Sequence, residues 1–413
     1  MEIGGLGASN FAMPLLEQRT PSRPREIRSP EPESEIRLGT LLAEAASWLL
    51  STRVRSRLGW MGLALLYVLA TIQFVGAYLF LEWPWVNLQL WEDGSERLPF
   101  QTRLLLAPLY RYVDHASWSV AYAWRLGRNQ YFFPHGVSAG MVLEFCIGIL
   151  CVLVSGWVVL RIYDAASRIH LLRPLVYPIF LGLCVLAYVL HTVQNFRYVY
   201  DMPSLAAFAV GFYLIYFRKP VIWFVLLFAV ATLNRETTLL LLPFWAISQA
   251  LGAEGRVRWR TLLSRRVLFI VLPLAVYWAA WHHIVFSLFG ANPSEYYPRL
   301  LFNLHCFLRL RYWPQLASAF GFLWPFLIIY RNQVRDVQLH AWLLVLPVWY
   351  AFMMQWAIVT ETRVFGELLP FLAPVAAIIA EEVLVSKVLR QIVRQDDQDE
   401  VIAVSRSQEP RAA

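Results

Sequence analysis

Long apolar runs alternate with short polar connectors along most of this chain. That pattern predicts helices that cross a membrane rather than the half-apolar helices of a soluble domain. A helix needs roughly 20 residues to cross about 30 Å of hydrocarbon. Runs that reach or approach this length lie at 60–82, 138–160, 174–192, 203–217, 220–233, 237–251, 267–289, 314–330, 340–359 and 367–385. The expected fold is therefore all-α, a polytopic transmembrane helical bundle of about ten spans. The runs 203–217, 220–233 and 237–251 are short, and short or interrupted segments point to a binding site. Between the last two stand Asn234, Arg235 and Glu236. Ionisable groups at membrane depth are costly and are kept mainly where a cavity or pathway needs them. Two helices are preferred here to one kinked helix or a re-entrant pair, because Arg235 and Glu236 are hard to place in mid-bilayer.

The flanks read differently. Residues 1–37, rich in Pro, Arg, Glu and Ser, have the composition of a disordered cytoplasmic tail with no cleavable leader. Over 38–58, Leu38, Leu41, Leu42, Ala45, Trp48 and Leu49 recur at helical spacing ahead of Arg53, Arg55 and Arg57. This is an amphipathic helix on the inner leaflet or, equally, an extension of the first span. The transmembrane domain is expected over 59–386, with a cytoplasmic tail at 387–413. Its longest connector, the first outer loop at 83–137, holds an interfacial helix from Phe100 to Tyr112. Every outer segment is expected to be too short to bury a core of its own.

Composition agrees with the pattern. The 413 residues are 58% hydrophobic and 15% charged, against about half and a quarter for a soluble domain. The net charge of +8 could suggest nucleic acid. Its distribution argues otherwise, since most of the 36 basic residues fall in connectors on one side. That bias favours an N-in, C-in orientation. Of the four cysteines, Cys146, Cys151 and Cys184 lie in apolar runs and Cys306 in a connector. Without a CxxC pair they read as small buried hydrophobes.

Helix rise brings the polar residues together. Lys219 to Asn234 spans about 22 Å at 1.5 Å per residue, so Asn234, Arg235 and Glu236 lie near the outer end of the hydrocarbon. Asp201 comes to a similar height, with Arg197 close by. Arg363 and Glu367 stand at the outer mouth of the last span, and Glu92, Asp93, Arg103, Asp114, His115 and His135 hang from the first loop. The expectation is a polar cavity opening outward. Each element also has a plainer reading. Arg235 and Glu236 can be a structural ion pair closing a hairpin. Asp201 can cap a helix that has Pro203 in its first turn, and Glu236 can begin one. Arg103 can snorkel to headgroups. His282 and His283 read as interfacial histidines rather than metal ligands.

The long acidic first loop and the later outer connectors with Arg and carboxylates resemble the GT-C superfamily of polytopic glycosyltransferases. The strings Leu98-Pro99-Phe100-Gln101-Thr102-Arg103, Tyr200-Asp201-Met202-Pro203 and Leu233-Asn234-Arg235-Glu236-Thr237 resemble bacterial multi-pass proteins of that general layout. Members take a sugar from a polyprenyl-phosphate carrier on the outer membrane face. The chain departs from them in two ways. Their catalytic acid usually follows the first span closely, whereas here Glu82 is at the membrane edge and Glu92 and Asp93 come later. The soluble domain that some members carry after the last span is missing.

The resemblance implies that a carboxylate, Asp93 first, then Glu92 or Asp114, takes the acceptor proton. Arg235, Arg363 and Arg103 would hold the departing phosphate, with Glu236 positioning Arg235 and Asp201 positioning Arg197. The expected partners are membrane lipid and a polyprenyl-phosphate-linked sugar, in the plasma (bacterial inner) membrane, and no nucleic acid. No cofactor is required. A divalent cation could aid phosphate binding, though no ligand set demands one. Two other functions fit the same features: a transporter or lipid flippase, and a non-catalytic subunit of an envelope-assembly complex. Against the carrier, no inverted repeat is apparent between the two halves.

Overall fold

The computed structural model describes residues 57–129, 136–190, 196–252, 254, 256–385 and 387–388. The tail expected over 1–37 lies outside these residues. So do His135, all but the last two residues of the helix expected over 38–58, and all but the first two of the tail at 387–413. Within the described residues the protein is helical, and five helices are long and apolar enough to cross a membrane. They are Gly59–Leu81, Ala139–Ala166, Arg265–Leu288, Val337–Trp356 and Thr362–Val385. Shorter apolar helices are Arg173–Tyr188, Asp201–Tyr216 and Val221–Thr232.

We number the helices used below α1 (Arg57–Leu81), α2 (Leu88–Glu92), α3 (Ala107–His115) and α4 (Ser117–Gly127). There follow α5 (Ala139–Ala166), α6 (Arg173–Tyr188), α7 (Asp201–Tyr216), α8 (Val221–Thr232), α9 (Leu241–Ala250) and α10 (Arg265–Leu288). The last two are α11 (Val345–Trp356) and the terminal helix α12 (Thr362–Val385), which opens with a 3-10 turn.

Burial ranks these helices. In its most apolar stretch α12 has 72% of its residues buried, so it runs through the middle of the bundle. α10 has 17% buried and keeps Phe269, Leu272 and Val276 exposed, the face a helix turns to hydrocarbon. Two close approaches knit the centre. The Tyr177 ring of α6 lies where a Cβ on Gly156 of α5 would stand, and the Tyr188 hydroxyl lies likewise against Gly366 of α12. A larger residue at either position would push the helices apart.

Three expectations need correction. The apolar run 314–330 is not one helix. It breaks into Trp313–Ser318 and Trp324–Tyr330, because Pro314 and Pro325 each start a new helix and Phe320, Gly321 and Phe322 all have positive φ. The run 237–251 starts as a 3-10 turn, Glu236–Leu240, before becoming α9. In the first loop, the interfacial helix expected from Phe100 begins only at Ala107, after a 3-10 turn at Phe100–Thr102.

The first loop shares a small core with a second connector. Val86, Trp91, Phe100 and Tyr110 pack with Phe196, Tyr198 and Tyr200 from the connector between α6 and α7. Neither connector is long enough alone, and together they make a small cluster. A short parallel pairing, Trp83–Pro84 with Phe196–Arg197, joins them. The α10–α11 connector docks on the same loop: Leu98 N donates to Pro293 O (2.7 Å), and the Asn292 amide donates to Glu96 O (2.7 Å).

Candidate functional site

The break between α8 and α9 is made by one extended residue. α8 ends in tight turns, with Asn234 N and Arg235 N both donating to Ala231 O (2.9 and 3.1 Å). Arg235 then adopts φ −160°, ψ 145°, which swings its side chain away from the helix axis. The backbone groups freed by the break find partners elsewhere, as buried ones must. Leu105 N of the first loop donates to Leu233 O (3.0 Å), Thr238 Oγ1 to Arg235 O (2.9 Å) and Trp278 Nε1 to Glu236 O (2.9 Å). Asn234 donates from its amide to Tyr200 O (3.1 Å), so its part is to tie the break to the α6–α7 connector.

Arg235 enters a buried cluster of charges. Its Nη1 lies 3.0 Å from both Asp201 Oδ1 and Glu367 Oε1. Arg363 Nη1 is 3.4 Å from the same Asp201 oxygen, and Arg363 Nη2 is 2.5 Å from Glu361 Oε2. Tyr78 Oη donates to Asp201 Oδ2 (2.8 Å), while Ser204 and Thr237 donate to Glu367 Oε1 (2.5 and 2.9 Å). The carboxylates of Asp201 and Glu367 are fully enclosed. Charges this buried are tolerated because each has an opposite partner, and hydroxyl donors add to Asp201 Oδ2 and Glu367 Oε1, while Glu367 Oε2 has no hydrogen-bond partner among the described residues.

A second pair lies beside the first. Arg103 Nη2 is 3.0 Å from Glu236 Oε2, and Thr102 Oγ1 donates to Glu236 Oε1 (3.1 Å). Burial alone would raise the Glu236 carboxyl, but the Arg103 guanidinium in contact with it outweighs that and holds it below the ordinary carboxylate range. Arg103 also stacks on Tyr200 and Arg363 on Tyr198, with 4.1 and 3.7 Å from guanidinium carbon to ring centre.

Both clusters back a cavity of about 490 Å³, a size usual for small-molecule sites. Its polar lining is Arg103, Arg235, Arg299, Arg363, Glu295, Glu361 and Thr360. Trp85, Phe100, Phe196, Tyr198, Tyr296, Tyr297, Tyr312 and Trp356 supply aromatic walls. These residues come from the first loop, from the segments that follow α6, α8 and α10, from the end of α11 and the segment after it, and from the start of α12. Arg299 differs from the other three arginines. It stacks on Tyr297 (3.6 Å) and bonds the Tyr297 hydroxyl and Glu295 O, with no carboxylate partner among the described residues.

Several expected pairings are replaced by others. Arg235 and Glu236 do not pair. Asp201 and Glu367 hold Arg235, and Glu236 holds Arg103, because the extended Arg235 backbone sends the two side chains to different partners. Asp201 does not hold Arg197. Arg197 Nη1 lies 2.8 Å from Leu79 O and 3.6 Å from Glu144 Oε2. Nor does the Asp201 side chain cap α7, since its oxygens are taken by Tyr78, Arg235 and Arg363.

The three first-loop acids are absent from the cavity lining. Asp93 is exposed at the end of α2, where its backbone N–H donates to Gln89 O (3.0 Å). Asp114 accepts from Gly140 N (2.5 Å) and so caps the start of α5. Glu92 lies close to Asp114. Its burial and that neighbouring charge raise its carboxyl to about 7. Sequence reasoning missed Glu295, Arg299 and Glu361. The signal was available: Glu361 is two residues from Arg363, and Glu295 and Arg299 flank the Tyr296-Tyr297 pair in a connector between apolar runs.

No protein-family model matches the chain, and neither a curated protein nor a solved structure is similar to it.

Proposed function

We propose that this is a multi-pass glycosyltransferase of the plasma (bacterial inner) membrane, of GT-C-like layout. Its cavity would bind a polyprenyl-phosphate-linked sugar at the outer face. The observation that carries this reading is the convergence in one cavity of four arginines, two carboxylates and a wall of aromatic rings. Arginine forks match phosphate oxygens, aromatic faces pack against the apolar faces of sugar rings, and a carboxylate can take a hydroxyl proton.

In this reading Arg299, the arginine without a carboxylate, binds the phosphate first. Arg103, Arg235 and Arg363, already fixed by Glu236, Asp201, Glu367 and Glu361, present charge to the leaving group without reorganising. The base is Glu295 rather than Asp93, Glu92 or Asp114. Its partner Arg97, 2.8 Å away, is not among the residues lining the cavity, whereas Glu361 is committed to positioning Arg363. Five long helices and three shorter apolar ones make eight spans, and ten would follow only if α9 and the broken run 314–330 also cross the membrane.

The test incubates membranes containing the full chain with labelled polyprenyl-phosphate sugar and acceptor lipid. Wild type is expected to transfer label, and Glu295→Gln to lose at least about a hundredfold in rate. Arg299→Gln should raise the donor concentration needed for half-maximal rate about tenfold. No transfer by wild type at any donor tried, with retained donor binding, would sink the enzymatic reading in favour of a carrier.

A further inference from the structure

We propose that the opposite end of the bundle carries a binding site for an anionic phospholipid. A second cavity, of about 850 Å³, lies there among the α7–α8 turn, the end of α9 and the start of α10. Arg218, Lys219, Arg265 and Arg266 line it, with Ser248 and Gln249, and no Asp or Glu does. None of the four cations pairs with a carboxylate among the described residues. The charge bias assigns this end to the cytoplasmic side, where anionic headgroups are met.

The cavity has two chemistries. Arg218, Lys219, Arg265 and Arg266 stand at the helix ends, and Val221, Phe269 and Ile270, which follow them along α8 and α10, add an apolar lining with Trp245. Beyond that lining α8 and α10 continue with Ile222, Leu226, Leu272 and Val276 exposed. A molecule with phosphate at one end and hydrocarbon at the other answers both halves, whereas soluble phosphate would answer the cations alone.

The backbone points to the same place. Arg218 has φ 49°, in the left-handed region. It closes α7 in the manner usually left to glycine, with Arg218 N donating to Ile215 O (3.2 Å) and Lys219 N to Leu214 O (2.9 Å). A side chain held there strains the chain. Glycine would serve the turn better, so what the arginine adds is its charge at the cavity. The lipid site is independent of the activity proposed above, because other residues at the other end form it.

The experiment measures lipid retention by native mass spectrometry on the full-length detergent-solubilised protein, using phosphatidylglycerol and phosphatidylcholine as probes. Wild type should retain phosphatidylglycerol in preference. Arg218→Gly should weaken retention about fivefold and the Arg265→Gln/Arg266→Gln pair more than tenfold. Arg218→Gly should unfold at the same temperature as wild type or a higher one, which separates lost binding from lost fold. The pair Arg161→Gln/Arg168→Gln removes equal charge from the same end but away from the cavity, and should stay within twofold. Equal loss in that pair would mean diffuse surface charge and overturn the site. So would equal retention of phosphatidylcholine, or displacement of phosphatidylglycerol by inorganic phosphate, which would leave a phosphate site without a lipid.

Discussion

The two ends of the bundle carry cations in opposite states. At one end Arg235 and Arg363 are buried, share Asp201, and are fixed further by Glu367 and Glu361. At the other, Arg218, Lys219, Arg265 and Arg266 are exposed and have no carboxylate. A count of charges along the sequence treats these alike. Their physical roles differ, because a paired charge in a low-dielectric interior organises the protein around it. An unpaired charge at the edge is free to meet something outside the protein. Removing a charge should therefore affect folding at the first end and binding at the second.

The sharpest way to break that contrast is Asp201→Ala. It removes the carboxylate that Arg235 and Arg363 share, leaving them only Glu367 and Glu361, and takes from the Tyr78 hydroxyl its carboxylate acceptor. Removing one partner of a buried ion pair costs about 3–5 kcal/mol, so the variant should unfold at a much lower temperature and be depleted from membranes. Asp201→Asn combined with Arg235→Gln should recover part of that loss, since it removes charge of both signs. Wild-type thermal stability in Asp201→Ala would show that the cluster is not structural, and the contrast would fail.

Glu236→Gln is a smaller and more selective change. The Arg103–Glu236 pair is partly exposed and joins the first loop to the α8–α9 break. Losing a charge-assisted hydrogen bond here costs about 1.5–3 kcal/mol. The loss should be confined to loop docking, with faster amide exchange over residues 100–106 and slower transfer of sugar. Uniformly faster exchange through the helices would place Glu236 with the fold-bearing cluster instead.

Which parts of this could be read from the sequence follows from how local each cause is. Apolar runs are local, and the long helices lie close to where they predict, α5 and α10 among them. The value of Asn234, Arg235 and Glu236 as a marker was also legible, because charge between apolar runs is costly wherever the chain goes next. The partners were not legible. Whether Arg235 meets Glu236 or Asp201 depends on a single extended residue, and no pattern in neighbouring residues fixes that. The break at 320–322 is similar, since Pro314 and Pro325 were visible but the run's apolarity outweighed them. Glu295 and Glu361 lie outside the longest connector, in the α10–α11 and α11–α12 connectors, and only the folded chain brings these together to complete the cavity wall.

The weakest test concerns the first-loop acids, which stand between the two extremes as carboxylates close together with no cation fixing them. Glu92 is raised from 4.5 to about 7 by burial and by Asp114. A carboxyl whose folded value lies above its unfolded one favours the folded state fully below pH 4.5. That contribution is lost as pH rises through about 7. Wild type should therefore lose a little stability across that window, and Glu92→Gln should lose less. A difference of about 1 °C in the thermal midpoint is the expected scale, read between about pH 5 and about pH 8. Asp114→Asn should flatten the profile too, by removing the neighbouring charge, but it also weakens the carboxylate cap on Gly140 N of α5. A Glu92→Gln profile as steep as wild type would mean that the two acids do not repel each other. The first loop would then hold no stored charge tension, and the contrast between fixed and free charges would reduce to the two ends alone.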